Sequence, residues 1–325
     1  MKAVFFGTPA FAVPSLDAVL AVCELGAVVT QPDRPRGRGR RVEASPVAVA
    51  AHQYALDVWK PASLRDPGFL ADLRREQPDV LVVVAYGRLI PPGAIDAARL
   101  GGINLHPSLL PRYRGAAPIP RAVAAGERET GVTVLYLASE MDAGDIILQR
   151  AVAVWDDDTA ATLEARLARE GAALLAHALR LLDAGTAPRR PQDHGQASFA
   201  PKLSRDEALI AWDAPAAGIV NLIRAFDPWP VAYTLRDGEP LMVWRASAMP
   251  DARCGIAQPG RPRPTPGTVV AAGSADPPFV VVAGEGCVAL HEVQPASGRR
   301  MPADAYLRGH PLAAGTALGA GRPRA

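Results

Sequence analysis

The chain has 325 residues, of which 49% are hydrophobic and 21% charged, and its formal net charge is +2. This length suits two domains of ordinary size, and the small net charge gives no overall field that would attract nucleic acid. The three cysteines lie far apart, no His/Cys cluster has the spacing of metal ligands, and no apolar run is long enough to cross a membrane. We therefore expect a reduced, soluble, cytoplasmic protein without a bound metal.

The first half of the chain alternates apolar runs with helical patterns. The predicted strands are 2–6, 26–31, 56–60, 79–87, 101–106, 130–137 and 145–154, and the predicted helices are 10–22, 45–56, 67–77 and 159–183. Continuous apolar strands separated by helices are typical of a largely parallel sheet that is covered on both faces. We therefore predict an α/β, Rossmann-like first domain over residues 1–188.

The second half of the chain loses this periodicity. Residues 189–206 are rich in Pro, Gly, Gln and Arg, which predicts a linker. After a helix within 208–230, short strands are predicted at 231–236, 240–248, 267–272, 279–283 and 286–293. Short, evenly spaced strands with Gly/Pro turns are typical of a small antiparallel barrel, which we predict over 207–314. Residues 315–325 are predicted to be a disordered tail.

The segment INLHPSLLPRYRGAAP, residues 103–118, carries two side chains suited to catalysis. Asn104 and His106 end a predicted strand two residues apart, so they share a face where an open parallel sheet binds its ligand. An Asn amide can donate to an oxygen that becomes negative, and a His can move a proton near neutral pH. Asp142, in a predicted turn before another strand, could orient the imidazole. On spacing alone, a turn residue, a core histidine and a cap explain the three equally well.

The same segment resembles the signature of the formyltransferases that use 10-formyltetrahydrofolate. The resemblance implies that Asn104, His106 and Asp142 are the catalytic residues. It also implies that 10-formyltetrahydrofolate is the formyl donor and that no metal is needed. The folate-binding residues that it implies are Val84, Ala85, Tyr86, Gly87, Ser108, Leu109, Leu110 and Pro111.

Further motifs resemble the members of this family that act on methionyl-tRNA. They are FFGTPAFAVPSL, TQPDRPRGRGRR, KLSRDEA and FDPWP, and they extend the resemblance to about residue 314. The implied acceptor is the α-amino group of methionine on initiator tRNA, which is formylated for translation initiation; we also expect a monomer. The second domain would then be an OB-like, tRNA-binding barrel. From residue 207 onward, however, the chain has eleven Arg and no Lys against ten acidic residues, so this domain is nearly neutral.

Basic charge is concentrated in RPRGRGRR, residues 34–41. This loop follows a predicted strand and would lie on the ligand side of the sheet. Glycines between the arginines would let it follow an RNA backbone, and the resemblance implies that it contacts the acceptor stem, with most weight on Arg38. A solvated charge run is the alternative. The predicted tRNA-binding residues are Arg34, Arg36, Arg38, Arg40 and Arg41.

Three other functions remain open from the sequence. A formyltransferase acting on a nucleotide-sugar amine or on glycinamide ribonucleotide would share segment 103–118 and Asp142. It would not be expected to combine the arginine loop with the FDPWP domain. A hydrolase that releases formate from the same folate could use the same three residues, because water can replace the amine. An RNA-binding module without catalysis would need none of them.

Overall fold

Two units make up the chain in this computed structural model, which describes residues 1–36, 41–256, 262–273 and 276–319. The first comprises Met1–Pro118, Glu129–Ala153 and Leu163–Pro201, and the second comprises Ile119–Arg128, Val154–Thr162 and the chain from Lys202. The predicted linker at 189–206 therefore belongs to the first unit as far as Pro201. No helix within the described ranges is long and apolar enough to cross a membrane.

The elements up to residue 183 include the predicted strands and helices in their predicted order, together with two short strands and two short helices that were not predicted. They are β1 (Lys2–Gly7), α1 (Val13–Leu20), β2 (Glu24–Val29), β3 (Arg34–Arg36), β4 (Arg41–Glu43), α2 (Pro46–Gln53), β5 (Val58–Trp59), α3 (Pro67–Glu76), β6 (Val80–Val84), α4 (Pro92–Ile95), β7 (Gly102–His106), α5 (Pro118–Ala124), β8 (Glu129–Tyr136), β9 (Ile146–Ala153) and α6 (Ala160–Asp183).

Seven of these strands form one sheet in the order β5-β2-β1-β6-β7-β8-β9. The five strands from β5 to β7 are parallel, whereas β8 and β9 are antiparallel to their neighbours. All five residues of β6 are buried, as expected for a strand covered on both faces. The predicted Rossmann-like, largely parallel sheet is confirmed.

Helix starts in this unit follow from local capping. The Ser45 hydroxyl accepts the Ala48 N–H at the start of α2, and the Asp66 carboxylate accepts the Phe69 N–H at the start of α3. The single helix predicted over 10–22 is instead a 3₁₀ turn, Ala10–Ala12, followed by α1. Pro14 lies in the first turn of α1, where a missing N–H costs nothing.

The second unit contains a small antiparallel sheet. Its elements are α7 (Ala216–Ala225), β10 (Tyr233–Arg236), β11 (Glu239–Met249), β12 (Val269–Ala272), β13 (Phe279–Val282), β14 (Cys287–Pro295), β15 (Met301–Pro302) and α8 (Ala303–Gly309). The strand order is β10-β11-β14-β13-β12, and β15 pairs with β14. Ile219 of α7, Tyr306 of α8 and Phe279 of the sheet share its core. The predicted small OB-like domain is confirmed.

The chain end differs from the predicted disordered tail. The Leu318 N–H donates to the carbonyl of Gly267, and the Val269 N–H donates to that of Thr316. Leu318 is only 4% exposed and belongs to the core of the second unit. Burial of this apolar side chain therefore orders residues 315–319, and residues 320–325 lie outside the described residues.

An ion pair within the second unit makes its stability depend on pH. Arg121 donates to Glu207 and holds the pKa of that carboxyl at about 2, below its ordinary value of 4.5. Its stabilisation is present above pH 4.5 and is lost as the pH falls towards 2. We expect Glu207→Gln to lower the free energy of unfolding at pH 7 by about 0.5–1 kcal/mol, since the pair is partly exposed. Denaturant titrations should show the difference from wild type shrinking between pH 4.5 and pH 2; a difference constant over this range would contradict the assignment.

Candidate active site

A cavity of about 520 Å³ opens beside the carboxyl ends of β6 and β7. Its walls come from residues 85–90 after β6, residues 104–107 at the end of β7 and the segment 135–142 after β8. An open α/β sheet places its ligand at these strand ends. A largely apolar wall with a few convergent polar groups is typical of a small-molecule site.

Asn104 and His106 reach this cavity together because they alternate on one face of β7. Asn104 is partly exposed and His106 is 4% exposed, and both contribute to the wall. The central β7 pairs with β6 on one side and β8 on the other, which fixes its register. The predicted placement of the two side chains in one crevice is what the structure shows.

Asp142 completes a cluster of three polar side chains. Its Oδ1 lies 3.5 Å from Asn104 Nδ2, and its Oδ2 lies 3.5 Å from His106 Nδ1. The Gly115 N–H donates to the same Oδ2 at 2.8 Å. Both side-chain contacts are at the long end of the range for hydrogen bonds and ion pairs. Segment 103–118 and the loop at 142 therefore meet at one end of the cavity.

The hydrogen bonds of His106 fix where its protons lie. Nε2 is 2.9 Å from the carbonyl oxygen of Tyr113, which can only accept, so Nε2 carries a proton. Nδ1 faces the Asp142 carboxylate. A neutral ring would present a lone pair to that carboxylate, whereas a doubly protonated ring presents an N–H. The Asp142 carboxylate can therefore accept a hydrogen bond from Nδ1 only when the ring is doubly protonated.

The loop that follows β7, which the resemblance assigns to the folate site, is held by hydrogen bonds within the first unit. Thr133 Oγ1 donates to the Ser108 carbonyl and accepts the Leu110 N–H, and Ser108 Oγ donates to the Arg112 carbonyl. Leu110 packs with Leu135 and Ile146 in a buried cluster. The bonded polar groups of this loop and its Leu110 side chain therefore point towards the protein interior. The members of the predicted set that are not on the cavity wall are Val84, Ser108, Leu109, Leu110 and Pro111.

The other part of the predicted folate-binding set lies at the end of β6 and just after it. Ala85, Tyr86 and Gly87 line the cavity, and the Tyr86 carbonyl accepts from Thr8 Oγ1 and Gln31 Nε2. The Tyr86 ring is buried, which raises the pKa of its hydroxyl. These bonds tie the cavity wall to the ends of β1 and β2. Val84 instead lies inside β6, where it pairs with Gly7 and Leu105.

Several cavity residues were not predicted from the sequence. Arg88, Leu89 and Ile90 extend the wall after β6, and Glu140 and Met141 lie on the loop that leads to Asp142. Leu89 and Met141 are each 56% exposed, so both present apolar surface to solvent beside the cavity. The signal that could have found them is apolar residues in loops that follow strands of a parallel sheet.

Residues 190–201, which we call the strap, were also missed. Arg190 exchanges two backbone hydrogen bonds with Ile146, and Ser198 and Ala200 bond along residues 111–117. The Ser198 hydroxyl additionally accepts the Tyr113 N–H at 2.9 Å. Gly115, with φ +117°, brings its Cα so close to the strap that an added Cβ would lie 2.9 Å from the Ala200 carbonyl oxygen. The strap therefore supports the loop that contacts His106 and Asp142.

The arginine-rich loop is described only in part. Arg34 and Arg36 lie on β3 and Arg41 on β4, a hairpin that follows the carboxyl end of β2. This position is on the ligand side of the sheet, as the sequence analysis predicted. The predicted tRNA-binding residues Arg38 and Arg40 lie outside the described residues.

No group of three or more His, Cys, Asp or Glu in the described part of the chain could hold a metal ion. Asn104, His106 and Asp142 also lack the donor set of a common metal site, because only two of them are good ligands.

Comparison with known proteins connects this arrangement to one family. The formyl transferase family model matches residues 1–179, and the model of the formyl transferase C-terminal domain matches residues 202–311. The chain is 48% identical to the methionyl-tRNA formyltransferase of Moorella thermoacetica, over 98% of this chain and 99% of that one. It is 46% identical to the methionyl-tRNA formyltransferase of Pelotomaculum thermopropionicum, with the same coverage.

Two solved structures share the fold at low sequence identity. An N-formyltransferase from Helicobacter canadensis, in complex with folinic acid and dTDP-3-aminofucose, matches with a TM-score of 0.65 at 17% identity, over 89% of this chain and 99% of that one. HypX from Aquifex aeolicus, in complex with tetrahydrofolic acid, matches with a TM-score of 0.61 at 18% identity, over 94% of this chain and 47% of that one.

Proposed function

The chain belongs to the methionyl-tRNA formyltransferase family, and from this premise we propose that it formylates the α-amino group of methionyl initiator tRNA with 10-formyltetrahydrofolate. The observation that carries the proposal is the convergence of Asn104, His106 and Asp142 at one end of the cavity. Neither an RNA-binding module nor a structural protein needs this arrangement.

The cavity fits a folate-type donor by its chemistry. A volume of about 520 Å³ is within the range for a small-molecule site, and most of its wall is apolar. The exposed Leu89 and Met141 offer surface to a flat heterocycle at the mouth. A solved fold neighbour holds tetrahydrofolic acid, which supports the same class of donor. We assign the folate to the wall formed by residues 85–90 and 135–142.

Asn104 and His106 act on the formyl oxygen in the proposed reaction. The amine of the methionyl group attacks the formyl carbon, and negative charge grows on the oxygen. Asn104 donates an N–H to this oxygen without adding charge, and a donor of this kind is typically worth about 2.7–4 kcal/mol of transition-state stabilisation. The ring nitrogens of His106 face Tyr113 and Asp142, so His106 stabilises this oxygen through the positive charge of its doubly protonated ring.

Asp142 takes part in transferring the proton that the attacking amine loses. It holds the imidazole through Nδ1 and stabilises the doubly protonated ring, as a carboxylate does for a catalytic His. The proton lost by the attacking amine then passes through this pair to the nitrogen that leaves. The Gly115 N–H keeps one carboxylate oxygen in place during these changes.

The test is a formylation assay with purified protein, 10-formyltetrahydrofolate and charged initiator or elongator tRNA. We expect formylmethionyl-tRNA from the initiator, and little from the elongator. Asn104→Ala, checked for folding by its thermal unfolding, should abolish most of the activity. Formate release without transfer would instead identify a hydrolase, and transfer to a nucleotide-sugar amine would identify the other branch of the family.

We assign acceptor-stem recognition to the arginine loop, residues 34–41. Five arginines in eight positions concentrate positive charge, and on RNA they would release counterions, so affinity should fall steeply with salt. Arg38→Ala should reduce discrimination between initiator and elongator tRNA, whereas Arg34→Ala should weaken both nearly equally. Single-turnover formylation of both tRNAs at two salt concentrations measures this.

The control for this experiment is Arg75→Ala, because Arg75 is an exposed arginine on α3 that pairs only locally with Asp72. If deletion of 36–41 leaves affinity, salt slope and discrimination as in Arg75→Ala, the loop is a solvated charge run. We also propose that the protein is a monomer and that it works in the cytoplasm, where initiator tRNA is charged.

A further inference from the structure

The strap brings one buried amide beneath the loop that carries Asp142. Gln192 is 6% exposed, and its Nε2 donates to two carbonyl oxygens of that loop, Asp142 and Gly144, each at 2.8 Å. Its Oε1 accepts from Arg114, at 3.2 Å from Nε and 2.7 Å from Nη2. Both amide hydrogens and the amide oxygen of Gln192 therefore take part in hydrogen bonds.

The chemistry of these partners fixes the orientation of the amide. A guanidinium can only donate, so it must face the oxygen, and the carbonyls can only accept, so they must face the nitrogen. Glutamate would keep the pairing with Arg114 and would set its other oxygen against two carbonyl oxygens. An apolar side chain would leave the buried Arg114 and both carbonyls without these bonds. Gln is the residue that satisfies all three partners.

The loop needs such support because its backbone is strained. Asp142 has φ +54°, in the left-handed region that non-glycine residues seldom adopt. Conformations of this kind persist where the surroundings hold them. At Gly144 an added Cβ would lie 1.9 Å from the Tyr136 carbonyl oxygen, so the loop also lies tightly against the end of β8.

Arg114 extends the connection to the other side of the site. It lies between Tyr113, whose carbonyl accepts from His106 Nε2, and Gly115, whose N–H holds Asp142 Oδ2. Its own backbone is paired with the strap through Ser198 and Ala200. Gln192 thus links the two segments that hold both partners of the His106 ring.

We propose that Gln192 is a positioning residue, which sets the Asp142 carboxylate against His106 and Asn104 by holding the backbone carbonyls of residues 142 and 144. This inference rests on the proposed function for its kinetic consequence. At metal sites, groups that orient a ligand through a hydrogen bond are typically worth about 10–100-fold in affinity or activity, and we expect an effect of the same order here.

The test compares Gln192→Glu with Gln196→Glu in the full chain. Gln196 is the matched control, since it lies four residues further along the strap, is exposed, and bonds through its amide to Asp193. We expect kcat of Gln192→Glu to fall about 10–100-fold while KM for 10-formyltetrahydrofolate stays within about threefold. Its pH–rate profile should also move along the pH axis, whereas partial unfolding lowers a profile without moving it. Gln196→Glu should match wild type in each measurement.

A second variant covers the case in which Gln192→Glu does not fold. If Gln192→Glu fails to fold, Gln192→Met, which has similar length and no charge, should fold and show the same loss of kcat. Unchanged kcat in a folded variant, an equal change in KM, or failure of both variants to fold would overturn the positioning role.

The ¹⁵N signals of the His106 ring, recorded without substrate, separate this proposal from the proposed function. They should change in Gln192→Glu and not in Gln196→Glu. Changed signals in a protein that does not formylate methionyl-tRNA would refute the function and keep the positioning role. Unchanged signals would refute the positioning role itself.

Discussion

Asp142→Asn is expected to lower kcat by on the order of 10³-fold, while the affinity for folate stays within a few-fold. The amide fills the same space and can still accept the Gly115 N–H through its oxygen. Its uncharged group cannot stabilise the doubly protonated His106, whose Nδ1 lies 3.5 Å from the carboxylate. The loss should therefore fall on the chemical step and not on donor binding.

Asp145→Asn is the matched control for this experiment. Asp145 lies three residues further on, is partly exposed, and pairs with Arg189 at 3.7 Å. Single-turnover rates and folate titrations should place it close to wild type. A proportional loss of folate binding and rate in Asp142→Asn would recast Asp142 as a binding residue, and a normal rate would remove it from the mechanism.

A chain that ends at residue 188 is expected to lose folate binding and catalysis, whereas a chain that ends at Pro201 keeps folate binding. The shorter chain lacks the strap, and with it the backbone bonds to Ile146 and to residues 111–117 and the side-chain bonds of Gln192 and Ser198. Each buried hydrogen bond is worth roughly 1 kcal/mol, so together they are a large part of a typical 5–15 kcal/mol stability.

Near-ultraviolet circular dichroism and folate titration of the two truncated chains measure this. Both lack the family's C-terminal domain, which begins at residue 202, so that domain cannot account for a difference between them. Both truncated chains should formylate tRNA poorly if the second unit contributes to tRNA binding. Equal folate affinity in the two chains would show that the strap is dispensable.

The parts of the fold that the sequence could predict are those with a periodic signal. Residues 79–87 are apolar almost without interruption, and β6 is a fully buried central strand. Alternation placed Asn104 and His106 on one face, and the family resemblance then selected them from equally good alternatives. Periodicity is decisive here because strand geometry allows two faces and only one of them reaches the crevice.

The loops could not be predicted in the same way, because their conformation depends on partners far away in the chain. The prolines of segment 107–111 indicate a stiff loop, but they do not show which side faces a ligand. Leu110 is buried against Leu135 and Ile146, which orients the loop in a way that its own sequence does not indicate. The strap shows the same limit. Its composition is typical of a linker, yet Gln192 and Ser198 bond to residues 50 and 85 positions earlier.

The long span of these strap bonds affects the order in which the protein matures. The chain between residues 113 and 198 must be synthesised before the Tyr113–Ser198 bond can close. The strap is the last segment of the first unit to be synthesised, so a nascent chain lacks the bonds that hold the loop of Asp142 until this segment has been added. An incomplete chain would therefore be less stable and less active than the finished one, in line with the behaviour expected of the chain that ends at residue 188.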